Sequence, residues 1–110
     1  MVNILPLILA RWRLLQIMHS SAHIQTTQAS RIAKRLLNHW KHKFEVAESS
    51  DQLQIMMPTA TISLIPQVQA LLVHIQLQDA EADLTRLEQV VLDHLIRMGQ
   101  EPLTALWQRH

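Results

Sequence analysis

The stretch Val68–Gly99, VQALLVHIQLQDAEADLTRLEQVVLDHLIRMG, changes its apolar period part-way along. From Val68 to Gln78, Leu71, Val73, Ile75 and Leu77 fall on one side and His74, Gln76 and Gln78 on the other. A period of two marks a strand with one buried face. After Asp79 the period becomes helical, and Ala80, Leu84, Leu87, Val91, Leu95 and Met98 form one stripe. Asp79 is the expected N-cap, with Glu81 and Asp83 in the favourable first turn. Gly99 stands where a helix C-terminal glycine is wanted, and Pro102 follows. A one-sided strand running into a one-sided helix points to two layers around a shared core.

The same reading extends upstream. Ser20–Thr26 alternates, Ala22 and Ile24 against His23 and Gln25, and is expected to be a strand. Thr26 or Thr27 then caps a helix whose apolar residues are Ala29, Ile32, Ala33, Leu36, Leu37 and Trp40. Arg31, Lys34, Arg35 and Lys41 fall on its opposite face. Three further strands are expected at Phe44–Ala47, at Gln52–Met57 with Leu53, Ile55 and Met57 inward, and at Ala60–Ile65. They are separated by the Ser49-Ser50-Asp51 turn and the Pro58-Thr59 break, and Pro66 ends the last. Leu103–Trp107 is expected to close the sheet. The order β-α-β-β-β-β-α-β predicts an α+β fold of two layers, both helices on one face of a mostly antiparallel sheet.

The chain has 110 residues, enough for one domain with a hydrophobic core of its own. Residues 18–110 are expected to form that domain, and residues 1–17 an N-terminal extension. The apolar run Ile4–Ala10 is too short to span a bilayer, and Arg11 and Arg13 follow it, the reverse of a secretory signal. Two readings stay open: Met18 as the true start, or an amphipathic helix that packs on the domain or lies on a membrane surface with Trp12 as its anchor. With no cysteine there is no disulfide framework and no thiol chemistry, and a reducing cytoplasm is the expected location. The single glycine excludes Rossmann and Walker phosphate loops and argues against a many-turned β-sandwich.

Net charge is +1, but the charges are segregated. Arg31, Lys34, Arg35, Lys41 and Lys43 occur between Gln25 and Lys43 without an acid. All nine acids lie between Phe44 and Glu101, beside only Arg86 and Arg97. A basic side and an acidic side are expected. The basic helix face reads first as a solvated face. Nucleic-acid binding is disfavoured because no aromatics interleave for base stacking and the second helix is acidic.

Three segments resemble the bacterial family called domain of unknown function 2218: LLNHWKHK (Leu36–Lys43), QDAEADLTRLEQVVLDHLIRM (Gln78–Met98) and PLTALW (Pro102–Trp107). The resemblance covers about Ala22 to Trp107. The sequence departs from the family pattern at Gln28, where a proline is common, at Ile32, where an aromatic is common, and in lacking glycines in the central hairpins. The resemblance implies an accessory role near iron or siderophore uptake, since some members look fused to siderophore-interacting flavin proteins. Others carry a dihydroxyheptenedioate aldolase label.

His39 and His42 make an HxxH pair, but the helical wheel puts them on different faces. His39 lies at the edge of the apolar stripe beside Ile32 and Leu36. His94 lies on the flank of the second stripe, beside Leu87 and Val91. If the helices pack side by side, His39 and His94 can meet at the seam, and Asp93, Glu45 or water would have to complete a metal site. The plainer role for such histidines is to cap carbonyls and complement a helix dipole. A Schiff-base aldolase needs a buried lysine, for which Lys43 is the candidate among Lys34, Lys41 and Lys43.

The expectation is therefore a non-catalytic binding or accessory module, with a histidine-based metal-binding protein and an aldolase-like enzyme as alternatives. His39, His42, Lys43, His94 and Trp107 are its candidate site residues. No cofactor is expected; Fe or Zn would be the metals of the alternative. A protein partner or small ligand is the expected company, and an open strand edge leaves room for a homodimer.

Overall fold

The computed structural model describes residues 19–110. The expectations for residues 1–17, for Met18 as a start and for Trp12 as an anchor lie outside the described residues.

The elements are β1 (His19–Gln25), α1 (Ala29–Trp40), β2 (Glu45–Glu48), β3 (Leu53–Met56), β4 (Ala60–Pro66), β5 (Ala70–Leu77), α2 (Leu84–Gly99) and β6 (Gln108–Arg109). The six strands form one antiparallel sheet in the order β2-β3-β4-β5-β1-β6, and both helices pack on one face of it. The expected α+β architecture and element order are both present.

Alternation decides which side chains meet the helices. In β5, Leu71, Val73, Ile75 and Leu77 are buried while His74 and Gln76 are exposed. β1 turns Ser20, Ala22 and Ile24 the same way, and β4 turns Ala60, Ile62 and Leu64. All six apolar residues of the α1 stripe are buried against this layer, and α2 adds Leu84, Val91 and Leu95. Fully burying a residue such as Leu36 or Ile62 contributes about 1.5–3 kcal/mol from the hydrophobic effect alone.

Strand ends shift by one or two residues, and four larger differences from expectation stand out. First, α1 has no side-chain cap: Gln28 occupies the N-cap position. Thr26 is used otherwise, accepting from the Gln28 amide at 3.0 Å and donating to the Glu101 carboxylate at 2.5 Å. Second, α2 starts at Leu84, four residues later than Asp79 implies. Asp83 is its N-cap and accepts from the Arg86 amide at 3.1 Å, whereas Asp79 accepts from the Glu81 amide in a turn.

Third, Gly99 is the last helical residue, and Gln100 takes the left-handed conformation at φ 53°. Glycine suits position 99 for a different reason: a Cβ there would lie 2.8 Å from Ile32 Cδ1. Fourth, Leu103–Trp107 is not a strand. Leu103 is buried, but pairing with β1 begins only at Gln108, opposite Ser21.

Candidate functional site

The helices meet where α1 ends. His39, in its last turn, and His94 of α2 approach with ring centres 5.5 Å apart. The buried Trp40 ring lies 4.7 Å from His94 and packs edge-on to Phe44 at 6.1 Å. His94 is half-buried, and its Nδ1 lies 2.7 Å from the Val90 carbonyl oxygen. A carbonyl only accepts, so Nδ1 carries the hydrogen and Nε2 of neutral His94 keeps its lone pair.

The HxxH pair is divided as the wheel implies. His42 is exposed beyond the end of α1 and takes no part in the ring contacts of His39, His94 and Trp40. Lys43 is also exposed, with its ammonium 5.5 Å from the Phe44 ring centre. Trp107 is half-buried and packs against the core. Glu45 cannot join His39 and His94. It pairs with Met56 in the register that turns Val46 and Ile55 toward the helices, so it belongs to the opposite face of the sheet. Asp93 accepts from Gln89 at 2.8 Å. Among the described residues, no group of three or more histidine, aspartate or glutamate side chains is placed to hold a metal ion.

The basic face of α1 is exposed and largely engaged. Arg31 donates to Gln28 at 3.0 Å, Lys34 pairs with Glu48 at 2.5 Å, and Arg35 donates to the Met98 carbonyl at 2.9 Å.

Two features have no local signature in the sequence. One is Glu88, a buried carboxylate on α2. It accepts from the Ser20 hydroxyl, and Arg109 Nη2 approaches its Oε1 at 2.8 Å. Burial works to raise its pKa, but the hydrogen bonds from Arg109 and Ser20 and the charge of Arg109 outweigh burial and hold it below the usual value.

The other is a trough on the face of the sheet that the helices leave open. Its larger part, about 790 Å³, is lined by His23 and Gln25 of β1, the β4–β5 turn Gln67–Gln69, Ala70, Thr104 and Leu106. A smaller part, about 310 Å³, continues past Ser21, Leu72, His74 and Gln108, with His23 and Leu106 common to both. Among the described residues, none that line the trough is Lys, Arg, Asp or Glu. Val68 and Leu106, the exposed large hydrophobics among the described residues at 88% and 89% exposure, both stand on its rim.

A family model described as an uncharacterized protein conserved in bacteria, DUF2218, matches residues 21–108. The chain belongs to this family. The DUF2218 match runs from β1 into β6 and includes His39, His42, Lys43, His94 and Trp107. The chain is also similar to PA4090 of Pseudomonas aeruginosa, whose NMR structure aligns with a TM-score of 0.69 at 32% identity, over 83% of this chain and 95% of that one. No curated protein matches the chain. Among the described residues of this DUF2218 chain, no helix is long and apolar enough to cross a membrane.

Proposed function

We propose that the chain is a small non-catalytic binding module, and that the trough on the open sheet face is where it binds. One observation carries the reading: Val68 and Leu106, the strongly exposed large hydrophobics among the described residues, flank the same concavity. Apolar side chains left in water around a depression with convergent polar groups are the usual mark of a ligand site. Among the described residues, the lining offers His23, Gln25, Gln69 and Thr104 for hydrogen bonds and no fixed charge. The ligand class this suits is an uncharged molecule carrying hydrogen-bond donors and acceptors.

The iron- or siderophore-handling setting rests on the family resemblance alone. The aldolase-like reading has less to stand on, because Lys43 is exposed whereas a Schiff-base lysine usually sits in an apolar pocket.

The test is a ¹H–¹⁵N correlation titration with nicotinamide, indole and catechol, three neutral planar probes. Saturable shifts at His23, Gln25, Gln69 and Leu106, abolished by Leu106→Asp, support the reading. Absence of saturable shifts with all three probes, or shifts centred on the helix layer, overturns it.

A further inference from the structure

A second site lies on the other side of the molecule, at the seam between α1 and α2. We propose that His39 and His94 together bind a divalent transition-metal ion, one imidazole from each helix, with the remaining positions open to water or to a ligand the ion brings with it.

The first argument is distance. With metal–nitrogen bonds of about 2.0–2.1 Å and tetrahedral angles, two imidazoles on one ion hold their ring centres roughly 5 Å apart. The His39 and His94 ring centres are 5.5 Å apart, close to that separation.

The second argument is protonation. A ligating histidine commonly donates its other ring N–H to a carbonyl or carboxylate, which fixes the tautomer and makes the ligating nitrogen more basic. The Val90 carbonyl does this for His94: Nδ1–H is committed to it and Nε2 is the nitrogen left to coordinate. The Trp40 ring against His94 limits the ring's freedom, so less order has to be imposed on binding.

The helix dipole favours a cation here, and Lys41 and Lys43 just beyond the helix end work against it. His39 is in the last turn of α1, at the carbonyl end of the helix dipole. Imidazole nitrogen suits Zn²⁺, Cu²⁺, Ni²⁺ and Fe²⁺, and does not suit Ca²⁺ or Mg²⁺.

The chain supplies two ligands here, fewer than a closed structural zinc site requires. The site therefore exchanges its ion readily and leaves coordination positions for an external chelator. The trough and the seam share no residue, so the failure of either proposal leaves the other standing.

The experiment uses the full chain without a histidine tag. In a Trp12→Phe, Trp107→Phe background, Trp40 is the sole tryptophan and reports on His94 beside it. Titration with Cu²⁺ and Ni²⁺ should quench Trp40 saturably at one ion per chain, and Zn²⁺ should compete for the same site. His39→Ala, which changes an exposed side chain, should weaken binding at least tenfold, and His94→Gln should do the same. His42→Ala should leave binding unchanged. No saturable binding overturns the proposal, as does binding that survives the His39→Ala, His94→Gln double change. So does binding lost on changing His19 or His110, whose rings form a separate pair 6.1 Å apart.

Discussion

Arg109 of the edge strand β6 grips Glu88 of α2, with Nη2 2.8 Å from Oε1 and Nε 3.3 Å from Oε2, while Ser20 of β1 donates to the same carboxylate. Three elements are fastened at one buried acid. Edge strand β6 pairs only Gln108 and Arg109 with β1, and the His19–His110 backbone bonds extend it by one residue, so the side-chain grip matters to its attachment. Glu88→Ala strands the Ser20 hydroxyl in the core and frees Arg109. Losing charged hydrogen bonds of this kind costs about 1–3 kcal/mol. Urea unfolding should register that loss, and a change under about 0.5 kcal/mol would show that the Glu88 cluster contributes little to stability.

Glu88 also predicts a pH dependence with a definite sign. Its carboxyl has a lower pKa folded than unfolded, so in acid the unfolded chain takes up the proton first. The stabilisation is complete above the unfolded value near 4.5 and is lost as pH falls through the folded value below it. Denaturant midpoints measured from pH 7 to pH 3 should therefore fall more steeply in the wild type than in Glu88→Gln. Parallel acid limbs in the two proteins would refute this.

Gly99→Ala tests a close approach between helices. The new Cβ would sit 2.8 Å from Ile32 Cδ1 and 3.1 Å from Cγ1, so the fully buried Ile32 side chain has to shift within the core. Overpacking costs about 1–3 kcal/mol, while replacing glycine by alanine in a helix returns up to about 1 kcal/mol. Net destabilisation of about 1 kcal/mol is expected. Ile32→Val removes Cδ1 at a cost of about 0.5–1.5 kcal/mol on its own. In the double variant the two losses should sum to less than their separate values. Simple additivity would mean the glycine is not there to accommodate Ile32.

The parts of this molecule that repeat locally were legible in the sequence. Six apolar residues at helical spacing in α1 are all buried, and the alternation of β5 names its inner and outer faces correctly. Legibility ended where two local solutions compete. Asp79 and Asp83 are both good caps, and only the turn that consumes the Asp79 carboxylate decides between them. β6 is too short to have a period, and the buried Leu103 imitates a strand without a ladder. The wheel put His39 and His94 each on a stripe edge, but their meeting depends on how the helices pair. Glu88 was invisible because Ser20 lies 68 residues away and Arg109 21. The trough was invisible because Val68 and Leu106 look like ordinary apolar residues until their exposure is known.

Lys34 and Glu48 give a prediction of near-zero effect. Their 2.5 Å contact joins α1 to β2, but the side chains are 51% and 44% exposed. Exposed pairs lose side-chain entropy in holding one geometry, gain little in high dielectric, and are screened by salt. A double-mutant cycle of Lys34→Ala and Glu48→Ala should give a coupling of about 0.2–1 kcal/mol at low salt, shrinking further in 0.5 M NaCl. Glu88–Arg109 should respond less to the same salt, because the Glu88 side chain is only 8% exposed. A Lys34–Glu48 coupling as large as that of Glu88–Arg109, and equally insensitive to salt, would mean that the basic face of α1 is a structural clamp and not a solvated surface.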